Sequence, residues 1–145
     1  MALEHAKSFR DLRVYQKARE VSLTVFKLSK TFPKEEMYSL TDQIRRSARS
    51  IGAQIAESWA KRRYEKHFVS KLTDSDGEQM ETQHWAAEAL DCGYISHEDA
   101  AQLTAALLEI GRMLNGMIVK SDSFCGEYPS VLKEDAVEYF IPSAN

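Results

Sequence analysis

From Lys34 to Tyr128 the chain contains no proline, and its apolar residues recur at alternating spacings of three and four. That spacing places them on one face of an α-helix, whereas a half-buried strand would need apolar residues at every second position. Proline is excluded from helix interiors because it lacks an amide proton and clashes with the preceding turn. The chain is therefore predicted to form a few long, amphipathic helices.

Three regular apolar stripes mark the first, second and fourth of these helices. Ser39 followed by Asp42, and Ser96 followed by Asp99, match the reciprocal capping pattern of a helix start. Gly93 suits the left-handed residue that ends a helix. The stripes are Val14, Ala18, Val21, Val25, Leu28 and Phe32; Leu40, Ile44, Ala48, Ile51, Ile55 and Trp59; and Ala100, Leu103, Leu107, Ile110, Leu114 and Met117.

The third helix, predicted between Tyr64 and Asp91, has polar residues where a core is expected. Small residues along it would let another backbone approach closely, and we interpret this helix as one that meets another subunit. The small residues are Ser75, Gly77, Thr82 and Ala86. The best apolar stripe runs through Phe68, Leu72, Asp76, Met80, Gln83, Ala87 and Leu90.

Four helices with short connections predict an all-α fold, an antiparallel up-down-up-down four-helix bundle. The bundle is expected over residues 1–120, with helices at about 10–31, 39–61, 64–91 and 96–120. Residues 121–145 differ in character, since they are acidic and also rich in aromatic residues. Disordered tails seldom carry so many large apolar groups, so this segment is expected to dock on its own bundle or on a neighbour.

The net charge of −3 conceals two halves of opposite sign. Residues 1–71 carry 16 Lys and Arg against 8 Asp and Glu, whereas residues 72–145 carry 3 against 14. The basic half could present a cationic face to nucleic acid, or it could be neutralised by the acidic half of the same molecule or of a neighbour.

Cysteine usage and hydropathy indicate the cellular compartment of the protein. Cys92 and Cys125 are too far apart for a metal-binding or redox pair, and two cysteines make no disulfide framework. The sequence shows no signal peptide and no stretch near the ~20 apolar residues that cross a bilayer. A cytoplasmic protein without membrane contact is expected.

Basic residues of the first two helices form the strongest candidate site. Arg10, Arg13 and Lys17 are predicted to share one helical face, and Arg45 and Arg49 another. Such clusters bind phosphates. The alternative is a solvated face, or one paired with Glu78, Glu81, Glu88 and Asp91 of the third helix, and no aromatic stacking platform is expected among the cations. The candidate nucleic-acid-binding residues are Arg10, Arg13, Lys17, Arg45, Arg46, Arg49, Arg62 and Arg63.

A metal site is a weaker hypothesis. Glu81 and His84 form one Glu-x-x-His motif, which is half of the di-iron carboxylate pattern of helical bundles. Glu20 and Glu57 could contribute, but no second such motif exists, so no metal or other cofactor is predicted. No phosphate-binding glycine loop or nucleophile elbow occurs either, and we expect no enzymatic activity.

Seven stretches of the chain form a recognisable set, and they begin at Phe9 (FRDLRVYQKA), Phe32 (FPKEEMYSL), Gln43 (QIRRSA), Ile55 (IAE), Glu81 (ETQ), Gly93 (GYIS) and Gly111 (GRMLNGMI). Together they resemble the four-helix-bundle family encoded in intervening sequences of bacterial 23S rRNA genes. The chain departs from that family at Ser58 and Ala60, where glycines are usual, at Asp74 to Asp76, and at His84.

The resemblance implies a small bundle that assembles as a ring, a homopentamer, with no established activity. It also implies kinship with a pentameric accessory factor of diversity-generating retroelements, which contacts nucleic acid. We therefore predict a non-catalytic oligomeric scaffold of unknown role, with an RNA- or DNA-binding accessory protein as the alternative. The candidate oligomer-interface residues are Ser75, Gly77, Glu81 and Arg112.

Overall fold

The structure, a computed structural model, describes residues 6–125 and is all-α over that range, without strands. Four long helices pack against one another and a short fifth helix follows them. Two single-turn 3-10 helices, Phe9–Asp11 and Lys34–Glu36, precede the first and second long helices. The helices are α1 (Arg13–Ser29), α2 (Leu40–Ala60), α3 (Glu65–Asp91), α4 (His97–Val119) and α5 (Ser121–Cys125).

The helices are joined by short connections, and consecutive helices run antiparallel. Helix α1 packs on α2 and α4, and α3 packs on the same two helices, so α1 and α3 lie diagonally across the bundle. The turns after α1 and α3 meet at one end, where the Tyr94 hydroxyl donates to Glu36 Oε2 at 2.8 Å. At the other end Ser121 Oγ donates to Glu65 Oε2 at 2.6 Å, which ties α5 to the start of α3.

Hydrogen bonds at the first of these ends alter two ionisable groups. Bonds from Ser39 and Tyr94 lower the pKa of Glu36. The same bond to Glu36 raises the pKa of Tyr94 to about 12, because the phenol must stay protonated to donate. The contact therefore favours the ionised carboxylate and the neutral phenol.

Helix ends follow the predicted signals, with one correction. Ser96 Oγ accepts the amide proton of Asp99 at 3.0 Å, as predicted for the start of α4. Gly93 has φ 75°, and the amides of Gly93 and Tyr94 bond back to Leu90 and Ala89 to end α3, as predicted. Ser39 is the N-cap residue of α2, as predicted, but the predicted capping bond is absent, since the Ser39 side chain donates instead to Glu36 Oε1 at 2.7 Å.

The core is built from the three predicted apolar stripes. Each is buried along its length, except that Leu28, Trp59 and Met117, at or near the ends, are half-exposed. Burial of the Leu, Ile and Val side chains supplies the main stabilisation of such a bundle. The sequence prediction of these three packing faces is confirmed.

The predicted stripe of α3 is wrong beyond Leu72. Met80 is 57% exposed, and Asp76, Gln83 and Ala87 also lie outside the buried face. The stripe that does face the core continues from Phe68 and Leu72 through Ser75, Gln79, Thr82, Ala86 and Ala89.

Hydrogen bonds to α2 explain why polar residues of α3 face inward. Ser75 Oγ donates to the carbonyl oxygen of Ile51 at 2.9 Å, and Thr82 Oγ1 bonds Ser47 Oγ at 2.8 Å. Buried hydroxyls are tolerated when they are paired in this way. The close backbone approach expected from small residues thus occurs within the bundle. Ser75 is fully buried there, so it offers no surface to another subunit.

None of the helices within residues 6–125 is both long enough and apolar enough to cross a bilayer. The predicted acidic and aromatic segment 121–145 begins in α5, and its residues 126–145 lie outside the described residues.

Candidate functional site

A surface groove between α1 and α2 gathers arginines and aromatic rings. Its volume is about 610 Å³, and a second depression of about 320 Å³ continues it toward Phe9 and Gly52. Both are lined by Tyr15, Arg19 and Arg49, so they form one continuous feature. We call it the arginine–aromatic groove; its defining residues are Phe9, Arg10, Tyr15, Arg19, Phe26, Arg45 and Arg49.

Phe26 is the centre of the groove's cationic cluster. The Lys30 ammonium and the Arg45 guanidinium each lie 4.9 Å from its ring centroid, and the Arg49 guanidinium lies 5.9 Å away. Cations within about 6 Å of a ring face are attracted by its quadrupole. Arg45 is also fixed by a bond from its Nε to Ser29 Oγ at 2.7 Å. The ring thus holds three positive charges close together.

The sequence positions these groups through the core stripes. Phe26 follows the buried Val25, and Arg45 and Arg49 follow the buried Ile44 and Ala48. A residue next to a core position lies at the edge of the helix–helix contact, where a long side chain can reach across to the neighbouring helix. The groove is therefore a direct consequence of how α1 and α2 pack.

A second aromatic pair extends the groove toward the N-terminus. Arg10 lies 4.6 Å from the centroid of Phe9, and Arg19 lies 6.0 Å from that of Tyr15. The two rings meet edge to face at 4.9 Å. The turn that carries Arg10 is held by a capping box, in which Ser8 Oγ accepts the Arg10 amide proton. Each ring of the groove therefore has at least one cation beside it.

The groove has little negative charge of its own. Glu20 is the one carboxylate that lines the larger depression within the described residues. The four ion pairs found in residues 6–125 leave the groove arginines out; they are Lys17–Glu109, Arg46–Asp42, Lys71–Glu57 and His84–Glu88. Four guanidinium groups thus share this surface, and none of them is paired with a carboxylate within residues 6–125.

The predicted grouping of Arg10, Arg13 and Lys17 on one face is wrong. Arg10 precedes α1 and turns into the groove, because the chain is extended at Leu12 and the helix starts only at Arg13. Lys17 instead pairs with Glu109 of α4 at 2.9 Å. That hydrogen bond and charge, followed by the charges of Arg112 and Arg13, lower the pKa of Glu109. Arg13 and Lys17 therefore belong to the α1–α4 side of the bundle.

The remaining candidate phosphate contacts separate into accessible and inaccessible groups. Arg46 and Arg63 are exposed, and Arg46 lies 3.9 Å from Asp42. Arg62 is only 7% exposed, stacks on the Trp59 ring at 3.4 Å and donates from Nε to the Trp59 carbonyl oxygen. Arg62 therefore belongs to the packing of the corner after α2, which corrects its assignment to the phosphate-binding set.

The outer face of α3 is acidic. Asp74, Glu81, Glu88 and Asp91 are exposed along it, and none of the ion pairs in the described range joins them to an arginine. None of the ion pairs within residues 6–125 joins the basic residues of the first two helices to Glu78, Glu81, Glu88 or Asp91, so the alternative in which these carboxylates neutralise the basic face is not observed in the described part of one chain. We call this surface the α3 acidic face.

The other candidate interface residues are accessible. Within residues 6–125, nothing beyond the local backbone of α3 lies within 4 Å of a Cβ built on Gly77, and Glu81 accepts a bond from Trp85 Nε1 at 3.2 Å. Arg112 is exposed on α4. Unlike Ser75, these three residues could meet another subunit.

The residues of the metal hypothesis are dispersed. His84 Nε2 lies 3.9 Å from Glu88 Oε1, Glu57 pairs with Lys71 at 3.0 Å, and Glu20 lines the arginine–aromatic groove. The described residues contain no group of three or more His, Cys, Asp or Glu side chains placed to hold a metal ion. The structure therefore does not bring the four candidate ligands together.

Sequence reasoning missed the aromatic part of the groove. No stacking platform was expected among the cations, yet Phe9, Tyr15 and Phe26 all lie beside them. A local signal existed, because Arg19 follows Tyr15 by four residues and Lys30 follows Phe26 by four, which places each pair on one helical face. The contacts of Arg45 and Arg49 with Phe26 depend on helix pairing and carry no such signal.

Comparison with known families agrees with this architecture. The family model for the 23S rRNA-intervening sequence protein matches residues 10–116, which is most of the chain. The chain belongs to the 23S rRNA-intervening sequence protein family. The resemblance predicted from the sequence is thereby confirmed.

A solved structure extends the comparison to three dimensions. It is a protein of unknown function from the S23 ribosomal protein family of Bacteroides thetaiotaomicron VPI-5482, 27% identical to this chain with a TM-score of 0.66. The match covers 72% of this chain and 97% of that one. No protein with a curated description matches this 23S rRNA-intervening sequence protein. The comparisons thus give the family and the fold, and they assign neither activity nor partner.

Proposed function

We propose that this protein is a non-catalytic interaction protein of the cytoplasm that assembles with copies of itself head to tail. The observation that supports this is the pair of unneutralised surfaces, the arginine–aromatic groove on α1 and α2 and the α3 acidic face. They lie on different sides of the bundle, since α1 and α3 are diagonal. Opposite charges on two different patches favour a heterologous contact, which repeats from one copy to the next.

A heterologous contact gives a ring when its rotation closes and a filament when it does not. We propose a closed ring of five copies, following the family resemblance. Each copy would then use the groove toward one neighbour and the α3 acidic face toward the other. Gly77 and Glu81 lie on the acidic face and are the residues most directly placed for this contact.

Charge reversal tests this assembly. Arg19→Glu/Arg49→Glu leaves the groove with three cations, Arg10, Lys30 and Arg45, against three carboxylates, and Asp74→Lys/Glu81→Lys leaves the α3 acidic face with two lysines against Glu88 and Asp91. Each double variant should shift sedimentation velocity toward the monomer, because one of the two surfaces then has no net charge to attract the other. The quadruple variant should recover part of the assembly, because the four exchanged positions again carry opposite charges.

The control is Lys34→Glu/Lys61→Glu, which reverses two exposed cations outside the groove. It should sediment as the unaltered protein does. Molar salt shortens the screening length to about 3 Å and should weaken the assembly if charge contributes substantially. An unaltered protein that sediments as a monomer at low salt would refute the proposal.

A second candidate function is nucleic-acid binding through the same groove, and the three cations around Phe26 favour it. Single-stranded nucleic acids are bound by positive grooves in which bases stack on aromatic rings, at about 1–3 kcal/mol per base. Phe26 is half-buried, so one face of the ring would be offered to a base after a cation moved aside. Arg10, Arg19 and Arg49 would lie along the phosphates.

Filter binding with a structured RNA that contains single-stranded loops tests this candidate at low and moderate salt. Arg19→Glu/Arg49→Glu should weaken binding and flatten its salt dependence, since each neutralised phosphate contributes about 0.7–0.9 to the slope. Phe26→Leu should weaken binding with little change in that slope. The Lys34→Glu/Lys61→Glu control has the same net charge as the arginine variant. An equal loss of RNA affinity in both variants would show that overall charge causes the effect, and it would exclude the groove as the binding site.

A further inference from the structure

A second groove, at the end of the bundle where α1 begins and α4 ends, is apolar and has no role in the proposed assembly. It has a volume of about 270 Å³. Leu12, Val14 and Phe124 form its buried floor, and Met113 and Met117 stand half-buried at its side. We call it the terminal groove. An apolar surface of this kind is stabilised when another apolar group covers it.

The rim of the terminal groove is positively charged. Arg13 and Lys120 line it, and both side chains are exposed. Glu109, which lies nearby on α4, is already bonded to Lys17. A partner for this site should therefore combine large apolar side chains with carboxylates.

The chain's own C-terminal segment has that composition and starts at the groove. Phe124 is a lining residue, and its ring stacks on Phe68 at 5.5 Å, which fixes the end of α5 beside the groove. Residues 126–145 follow directly. They contain four acidic residues and one lysine, together with two apolar clusters; the nearer is Tyr128, Val131 and Leu132, and the farther is Tyr139, Phe140 and Ile141.

We propose that the nearer cluster, Tyr128, Val131 and Leu132, occupies the terminal groove of its own chain, with Glu127 and Glu134 placed toward its cationic rim. The lengths permit this. Seven residues separate Cys125 from Leu132 and can span up to about 24 Å. The groove extends from Met113 to Lys120, along the last turns of α4 and its C-cap residue, which is about 10 Å of helix.

The groove's side wall also suits an aromatic occupant. Methionine side chains adapt to irregular partners, and their sulfur atoms make favourable contacts with ring edges. Tyr128 beside Met113 and Met117 would make such a contact. The family match ends at residue 116, so the occupying segment lies beyond the matched residues.

The five methionines of the full chain provide reporters for a direct test. Isotopically labelled methionine methyl groups are recorded by NMR in the full chain. Met113 and Met117 line the groove, whereas Met37 and Met80 are exposed elsewhere and serve as internal controls. Two matched variants are compared: the near variant Tyr128→Ser/Val131→Ser/Leu132→Ser, and the far variant Tyr139→Ser/Phe140→Ser/Ile141→Ser.

We expect the near variant to shift the Met113 and Met117 signals, through loss of the ring current and of the apolar contact, while Met37 and Met80 stay in place. The far variant should leave all four signals unchanged. Unchanged Met113 and Met117 signals in the near variant, or a shift of these two in the far variant alone, would overturn the proposal.

Two measurements decide the remaining cases. If the near variant also moves the Met37 and Met80 signals, the unaltered chain is used instead. Nuclear Overhauser contacts are then expected from the Met113 and Met117 methyls to tyrosine ring protons. Such contacts would come from the C-terminal segment, because none of the described tyrosines lines the groove. Their absence refutes the proposal. If unlabelled wild-type protein restores the signals of the labelled near variant, the segment comes from another copy and docking within one chain is wrong.

Discussion

Replacing Gly111 by alanine should destabilise the bundle, although alanine is the better helix former. Helix α4 approaches α3 so closely at this position that a Cβ atom would lie 2.9 Å from Gln79 Nε2 and 3.3 Å from Asp76 Oδ1. The Gln79 side chain cannot swing freely aside. Gln79 is only 2% exposed. Its Nε2 donates to Asp76 Oδ1 at 2.8 Å, and its Oε1 accepts from Gln83 Nε2 at 2.7 Å.

The expected magnitude follows from two opposing effects. Alanine in place of glycine stabilises a helix interior by about 0.8–1 kcal/mol. Displacing Gln79 breaks one or both of its amide hydrogen bonds and overpacks the contact, which costs about 2–4 kcal/mol. Gly111→Ala should therefore lower the free energy of unfolding by about 1–3 kcal/mol.

Gly77→Ala is the control, because no atom of the described residues beyond the surrounding backbone of α3 lies within 4 Å of a Cβ at that position. It should raise the free energy of unfolding by about 0.5–1 kcal/mol. Urea denaturation followed by far-UV circular dichroism, with a common slope for all variants, gives both values. If Gly111→Ala proved as stable as Gly77→Ala, the close approach of α4 to Gln79 would be refuted. Adding Gln79→Ala to Gly111→Ala should cost less than the two single changes summed.

Three further predictions concern other contacts. Phe68→Ala should lower the free energy of unfolding by about 3–5 kcal/mol, because the ring is fully buried. A decrease of less than about 1 kcal/mol in urea denaturation would contradict its place in the core. Thr82→Val should cost about 1 kcal/mol through loss of the bond to Ser47, whereas a gain in stability would disprove that bond. The Tyr94–Glu36 contact should stabilise the fold at neutral pH. This stabilisation should be lost as pH rises from about 10 through the raised tyrosine pKa of about 12. It should also be lost in acid, as pH falls through the lowered pKa of Glu36. Tyr94→Phe should flatten the alkaline limb of the pH–stability curve and remove the latest tyrosine transition from an alkaline absorbance titration, whereas the acid limb should shrink only in part, because the Ser39 bond to Glu36 remains.

The helices that could be predicted from sequence are those whose buried faces are apolar. In α1, α2 and α4 every turn contributes a Val, Ile, Leu or Ala to the core, so spacing alone identifies the face. The end of α3 was equally predictable, since Gly93 needs no partner to adopt a positive φ. These features are local, or repeat with a fixed period along one helix.

The inner face of α3 could not be found in this way, because hydrophobicity does not mark it. Met80 is more apolar than Ser75 or Thr82, yet Met80 is exposed and the two hydroxyl residues are buried. Their burial depends on acceptors in α2, the Ile51 carbonyl and the Ser47 hydroxyl. Such pairing is a property of two helices in register, and a period search along one helix cannot detect it.

The sequence predicted which residue types form the candidate site, but it did not predict which of these residues lie together in the fold. Arg45 and Arg49 were correctly paired, because both lie on a continuous helix. Arg10 was joined to Arg13 and Lys17 by assuming a helix that starts before Leu12, where the chain is extended. Phe26, the ring that organises the cluster, was missed since its partners come from both α1 and α2.

Topology decides which charges can meet within one molecule. In this bundle α1 and α3 are diagonal, and neighbouring axes about 8–10 Å apart place diagonal axes about 11–14 Å apart across a filled core. Arg19 of the groove and the outward carboxylate of Glu81 lie on opposite outer sides of α1 and α3. Their charged groups are therefore farther apart than the two helix axes, so neither can neutralise the other within one chain. Helix α4 does lie next to α1, and there a cross-half pair forms between Lys17 and Glu109. Among the described residues the opposite charges of the two halves thus form one ion pair, where α1 and α4 are adjacent, and the groove and the α3 acidic face are left for a second molecule or for solvent ions.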